Sequence, residues 1–184
     1  LAERKIIMQE SRGSYKSKQR KNYHEGILDL SGKGVGYIIS EEFEDDLIVT
    51  SNQFNKAFSG DTVLFYAYPG RGKKRREAKI IEVVSRKSNQ FVGTLQKKNG
   101  TLFVRVSSKI SPVDFFIDAT PKMKTRDGDR VLISFMQWKE TKSPQATIEE
   151  VLGAPGEADT EMHTILAEYG LPYKFDSHIE EEAN

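Results

Sequence analysis

The candidate functional side chains are aromatic and basic residues, and they lie along short predicted strands interrupted by glycine. Residues 32–39 read Gly-Lys-Gly-Val-Gly-Tyr-Ile-Ile, and side chains alternate between the two faces of a strand. Lys33 therefore lies at the start of a strand whose outer face carries Val35 and Tyr37. An outward tyrosine beside a lysine can stack a nucleobase while the cation binds a phosphate. An ordinary surface tyrosine on a glycine-tolerant strand is the alternative interpretation.

A second group with chemistry is the basic run 69–76, which joins two predicted strands. Its cations are Arg71, Lys73, Lys74, Arg75 and Arg76. Five cations beside two glycines predict a loop that binds phosphates with little regard to sequence. The alternative is a solvated hairpin tip.

The sequence contains no arrangement typical of catalysis or of a metal site. Zero cysteines exclude disulfides and thiolate ligands, and the three histidines are scattered without metal-ligand spacing. The acidic run 41–46 is interpreted as a solvated hairpin loop. No apolar run is long enough to span a bilayer. We expect no cofactor in this chain, no membrane partner, a cytoplasmic location and a monomer.

These side chains must be positioned by a repeated set of short strands. The first set is predicted at 26–31, 34–40, 46–50, 61–68 and about 77–86, with a helical turn within 51–58. Gly26 returns as Gly93, and three further segments return later in the chain at one constant offset. These segments are 46–49, 60–63 and 80–84, which return as 114–117, 128–131 and 148–152. The repeat predicts a mainly β chain with two tandem five-stranded OB-type barrels.

The second unit offers more aromatic side chains than the first. The same offset makes Phe103 and Arg105 the counterparts of Val35 and Tyr37, on the outer face of the second strand. It places Phe116 on the outer face of the third strand, where the first unit has Ile48. Base stacking on aromatic rings therefore favours the second barrel. If the register is shifted by one residue, the phenylalanines are core residues instead.

Charge is graded along the chain and divides it into four parts. Lys and Arg number seven against two acids in residues 1–21, ten against ten in 22–87, ten against seven in 88–152 and one against eight in 153–184. We interpret these parts as a basic arm or linker without packed structure, the first barrel, the second barrel, and a linker with a helical start. Such an uneven distribution favours a polyanionic partner for the basic part.

The acidic last part predicts a helix that belongs to a further domain. Asp159 or Thr160 is its expected N-cap. Ile165, Leu166 and Tyr169 are its expected apolar stripe, and Gly170 is expected to end it. A second helix is expected to start near residue 176.

The order of these parts resembles the ribonuclease R group of the ribonuclease II family. The strand 33–38 is similar to the RNP1-like strand of bacterial cold-shock domains, and 46–49 and 114–117 are similar to their RNP2-like strand. The segments 148–153 and 165–172 follow the pair in the order of that family. The resemblance covers about residues 22–184, although Val35 and Ile48 stand where cold-shock domains usually have aromatic residues.

This resemblance implies a module that guides single-stranded RNA. In the family, two cold-shock domains precede a catalytic domain whose aspartate cluster binds magnesium and hydrolyses RNA from the 3′ end. Nothing in this sequence matches that cluster, so we expect RNA binding without cleavage. A free-standing RNA chaperone or regulator, and a barrel pair that docks proteins, are the alternatives.

Overall fold

The computed structural model describes residues 7–11, 14–17, 23–70, 72, 75–117, 123–139 and 142–171. The chain is mainly β, with two five-stranded units in tandem and a helix after the second. The predicted fold class is therefore confirmed. Among the described residues, no helix combines the length and the apolar character needed to cross a membrane.

The basic N-terminal part contains two strands, β1 (Ile7–Ser11) and β2 (Ser14–Ser17). They pair antiparallel and form a sheet of two strands. These two strands were not predicted from the sequence, and the interpretation of residues 1–21 as an arm or linker stays a prediction. Ile7 and Tyr15 are favourable strand residues, and the charge of the segment does not prevent backbone pairing.

The first unit is a curled antiparallel sheet. Its strands are β3 (Tyr23–Leu30), β4 (Val35–Ile39), β5 (Leu47–Thr50), β6 (Thr62–Ala67) and β7 (Ala78–Ser85). They lie in the order β5-β4-β3-β6-β7, and a parallel bridge between Ile48 and Glu77 joins the two edges. The helical turn predicted within 51–58 is a short 3-10 helix, Ser51–Gln53.

The second unit is a closed barrel. Its strands are β8 (Gln90–Lys98), β9 (Thr101–Arg105), β10 (Phe115–Ile117), β11 (Arg130–Gln137) and β12 (Gln145–Gly153). Parallel pairing of β10 with β12 closes it, with Phe116 opposite Gln145. This pair and the Ile48–Glu77 bridge occupy equivalent positions at the constant offset of the repeat. Both units therefore close at the same point of the repeat.

Gly26 and Gly93 have the same structural role in the two units. A Cβ atom on Gly26 would lie 2.7 Å from the carbonyl oxygen of Ile39, and one on Gly93 would lie 2.7 Å from that of Arg105. Real Cβ atoms do not approach oxygens so closely. The repeated glycine therefore permits close approach of the neighbouring strand in each unit.

The helix α1 (Ala158–Glu168) packs on the outside of the second barrel. Its N-cap is Glu157, and Thr160 and Thr164 are its buried residues, so the predicted N-caps are wrong. The predicted apolar stripe is also wrong, because Ile165 is 55% exposed and Tyr169 is 77% exposed.

Small residues explain which face of α1 is buried. Ala167 packs against a cluster of Val92, Leu132 and Leu152. A Cβ atom on Gly153 would clash with Oγ1 of Thr160, so this glycine allows the helix to approach β12 closely. The helix thus has a packing partner in this chain, contrary to the prediction. Gly170 ends it with a φ of 66°, as predicted, and the second predicted helix lies outside the described residues.

The two barrels share a buried contact through Phe58. This residue lies between β5 and β6 of the first unit, yet it belongs to the core cluster of the second. Its ring stacks on Trp138 with a centroid distance of 5.4 Å and lies 5.3 Å from the ring of Phe115. Trp138 therefore packs against the core of the second barrel.

A buried ion pair fixes the segment that carries Phe58. The carboxylate of Asp61, only 1% exposed, accepts hydrogen bonds from the backbone N–H of Phe58 at 2.8 Å and from the guanidinium of Arg86. The Arg86 guanidinium also lies 4.5 Å from the centroid of the Phe58 ring. Arg86 follows the last strand of the first unit, so the end of that unit helps to hold Phe58 in the core of the second.

Candidate nucleic-acid interface

The outer face of β4 and β5 carries the residues predicted for the first barrel. Tyr37 and Ile48 are directly paired across the two strands and are half-buried, and Val35 lies on the same face. The alternate residues Ile38 and Leu47 are fully buried in the core. The predicted alternation of these strands is therefore confirmed.

Two arginines of the basic run lie against aromatic rings of the first barrel. The Arg75 guanidinium lies 5.7 Å from the centroid of the Tyr37 ring, and that of Arg76 lies 5.6 Å from the centroid of Phe43. Both arginines are exposed to solvent. A cation over a ring face contributes favourable electrostatic energy. The structure thus brings part of the basic run onto the predicted face.

The other predicted cations of the first barrel are Lys33, Lys73 and Lys74. Lys33 is exposed in the turn between β3 and β4. Lys73 and Lys74 lie outside the described residues. Among the cations predicted for this barrel, the structure therefore brings Arg75 to Tyr37.

The outer face of β9 and β10 carries an aromatic pair. Phe103 and Phe116 are directly opposite each other, with ring centroids 5.9 Å apart and an interplanar angle of 62°. Both are half-buried, and both lie outside the core cluster of the second barrel. Val104 and Phe115, their neighbours in sequence, are fully buried. The register in which the two phenylalanines would be core residues is therefore excluded.

Arg105 is part of the same strand and is 56% exposed at its side chain. Its Nε atom lies 3.4 Å from Oδ1 of Asp114. Exposed ion pairs contribute little to stability. The contact therefore orients the guanidinium and leaves it able to bind a ligand. The arginine lies at the edge of the aromatic face, one residue beyond the buried Val104.

Residues in equivalent positions on the two outer faces are not all related by the constant offset of the sequence repeat. Phe103 occupies the place of Tyr37, because Tyr37 pairs with Ile48 and Phe103 pairs with Phe116. The prediction that Phe103 corresponds to Val35 is therefore wrong by two positions. The cause is a shorter first hairpin in the second unit, with left-handed Asn99 and Gly100, and a longer connection from β9 to β10. Since a shift by two positions returns to the same face of a strand, the outward residues stay outward.

The contacts of two aromatic residues, Phe43 and Phe58, were not predicted from the sequence. Phe43, beneath Arg76, lies in the acidic hairpin loop, where no periodic pattern marks it. Phe58 has Arg126 as its counterpart at the constant offset of the repeat. That break in an otherwise regular repeat is the signal that could have shown a contact between the units.

The described residues do not fit a magnesium site. Within them, no group of three or more histidine, cysteine, aspartate or glutamate side chains lies close enough to hold a metal ion. The arrangement offers aromatic faces and cations, which bind single-stranded nucleic acid through stacking and charge.

Two protein families match this chain, one in each barrel. The family described as "Ribonuclease B OB domain" matches residues 26–83, and the family described as "Cold shock domain" matches residues 103–176. The second match extends past β12 and includes α1. The chain is therefore a tandem of two OB-type domains, each similar to the family that matches it.

Curated proteins with sequences similar to this chain are named ribonuclease R. The chain is 28% identical over 173 residues to "Ribonuclease R" of Escherichia coli K12, with 93% of this chain and 21% of the relative covered. It is 23% identical over 176 residues to "Ribonuclease R" of Acidithiobacillus ferrooxidans, with 94% of this chain and 40% of the relative covered. The chain is similar to these proteins along most of its own length, and it spans less than half the length of these relatives.

Solved structures have the same fold. "Structure of yeast Ssd1, a pseudonuclease" matches with a TM-score of 0.71 at 15% identity, covering 83% of this chain and 25% of that one. "Mycoplasma genitalium RNase R in complex with ribose methylated single-stranded RNA" matches with a TM-score of 0.66 at 15% identity, covering 88% of this chain and 26% of that one. At these identities, the matches show the fold.

Proposed function

We propose that this chain binds single-stranded RNA on the outer faces of β4–β5 and β9–β10, as the RNA-guiding part of a 3′-to-5′ exoribonuclease. The observation that carries the proposal is the Phe103–Phe116 pair, which is held outside the core with its rings partly open to solvent. Aromatic rings placed outward on adjacent strands are stacking platforms for bases. The first barrel supplies Tyr37 with Arg75 over its ring.

The relatives support the same proposal at the level of the whole protein. The curated relatives bear the name of a ribonuclease, and one structural neighbour is an RNase R in complex with ribose-methylated single-stranded RNA. We propose that the module acts as a monomer in the cytoplasm. In this proposal, the magnesium-dependent chemistry resides in a catalytic domain and the barrels deliver the strand to it.

The test is the binding of a labelled oligoribonucleotide by the full chain at several salt concentrations. Each phosphate neutralised on a single strand contributes a slope of roughly −0.7 to the dependence of log K on log salt concentration. Replacing Lys73, Lys74, Arg75 and Arg76 with alanine is expected to weaken binding and to flatten this slope. An unchanged slope would place the phosphates elsewhere on the chain.

The same experiment separates the alternatives. Absence of salt-dependent binding would contradict the proposal and would favour a barrel pair that docks proteins. Equal affinity for RNA and DNA strands would show that the chain does not recognise the 2′-hydroxyl of the ribose. Binding of an RNA duplex as tight as that of a single strand would contradict the stacking mechanism, because paired bases do not expose their faces.

A further inference from the structure

A cavity of about 270 Å³ lies at the junction of the two barrels. Its apolar walls come from both units: Leu30, Val35 and Phe54 from the first and Pro112 from the second. Its volume is just below the roughly 300–1,000 Å³ of pockets for drug-sized ligands. The cavity therefore suits a single planar ring system rather than a larger molecule.

The polar groups of the cavity are few and come from opposite sides. Ser51 of the first unit and Ser108 of the second both line it. A hydroxyl donates one hydrogen bond and accepts others, so it can satisfy either kind of polar atom at the edge of a heterocycle. A mostly apolar wall with two such groups is the usual composition of a binding pocket.

The rim of the cavity is basic. Gly32 lies so close to the second barrel that a Cβ atom on it would be 3.0 Å from Oγ of Ser108 and 3.4 Å from Cγ of Lys109. Lys33 follows Gly32 in the same turn, and both lysines are exposed. One cation from each barrel is thus available for a phosphate at the mouth of the cavity.

The cavity also adjoins the face proposed to bind RNA. Val35 forms part of its wall and lies on the same face of β4 as Tyr37. Two residues along a strand span roughly 6.6 Å. A single strand that stacks on Tyr37 therefore places its neighbouring nucleotides beside the mouth of the cavity.

We propose that this cavity holds one nucleobase of the bound strand, with the flanking phosphates against Lys33 and Lys109. The inference rests on the proposed function, because it assigns a subsite to the same ligand. The base lies between walls from the two barrels, so the site exists only where both barrels contribute a wall.

The test fills the cavity from each side with Ser51→Phe and, separately, Ser108→Phe. The matched control is Ser85→Phe, an exposed serine of β7 outside the lining of the cavity. Affinity is measured for a labelled oligoribonucleotide and for an abasic strand of the same length, which has phosphates but no bases. Thermal melting of each variant checks that it is folded.

Both filling variants are expected to bind the base-bearing strand between about fivefold and a hundredfold more weakly, the range for one stacked base. Their affinity for the abasic strand is expected to equal that of the parent chain, and Ser85→Phe is expected to change neither. Two folded filling variants that bind the base-bearing strand as well as the parent overturn the inference. An equal loss for both strands also overturns it, since phosphates would then be the groups displaced. A parent chain that binds no single strand would instead refute the proposed function itself.

Discussion

Replacing Phe103 and Phe116 with alanine separates a stacking role from a packing role. The two rings pair across β9 and β10 outside the core cluster. A cross-strand pair on a sheet surface contributes about 0.2–1 kcal/mol to folding, whereas truncation of a buried phenylalanine costs about 3–5 kcal/mol. We therefore expect the double variant to fold and to lose about 1–2 kcal/mol of stability at most.

The loss of RNA affinity is expected to be larger than the loss of stability. Each stacked base contributes about 1–3 kcal/mol. Since the two rings touch edge to face, their combined contribution is expected to be about 2–4 kcal/mol, or roughly thirty- to several-hundred-fold in affinity. Tyr37→Ala is expected to lose less, because one ring is removed and Arg75 already lies over it.

The assay is fluorescence anisotropy of a labelled oligoribonucleotide at one fixed salt concentration, beside thermal melting. Phe115→Ala is the matched control, because Phe115 lies on the same strand as Phe116 but is fully buried. It is expected to melt well before the double variant. A double variant that melts with Phe115→Ala, or that binds RNA as tightly as the parent chain, would refute the assignment of these rings to an RNA-binding face.

Two further predictions concern the contact between the barrels. Phe58→Ala is expected to destabilise the second barrel by about 3–5 kcal/mol although the residue lies in the first. Trp138, the single tryptophan of the chain, stacks on Phe58. Its fluorescence during urea unfolding therefore reports the change in stability. A Trp138 transition at the midpoint of the parent chain would contradict this. Asp61→Ala is expected to cost about 3–5 kcal/mol, because it leaves the partly buried Arg86 guanidinium without its carboxylate partner. Asp129 lies at the same place in the repeat, and its carboxylate accepts a hydrogen bond from the backbone N–H of Arg126 at 2.7 Å. Asp129→Ala is therefore expected to cost only about 1–3 kcal/mol in the same unfolding assay, and equal costs would contradict the role of the ion pair.

The repeat and the alternation of β4 and β9 could be predicted because they depend on local rules. Val35 and Tyr37 face outward since adjacent strand residues point in opposite directions, and Gly26 and Gly93 mark the same close approach in both units. Such features need only the spacing of residue types along the chain.

Contacts between separate elements could not be predicted in the same way. Phe58 lies in a loop of one barrel and completes the core of the other, and its own neighbours in sequence do not indicate that partner. The buried face of α1 was misjudged because Thr160 and Thr164 are polar, whereas close approach over Gly153 favours small residues there. The displacement of Phe103 by two positions from the regular repeat depends on two loop lengths that hydrophobic patterning does not specify.

The shared core has a consequence for the order of events during synthesis. Phe58 leaves the ribosome well before Trp138, and because chains grow at about 5–20 residues per second, roughly 4–16 s separate the two. During that interval the first barrel can form, but the ring of Phe58 has no partner ring from the second. The nascent chain therefore exposes an apolar side chain at its surface until the second barrel assembles around it.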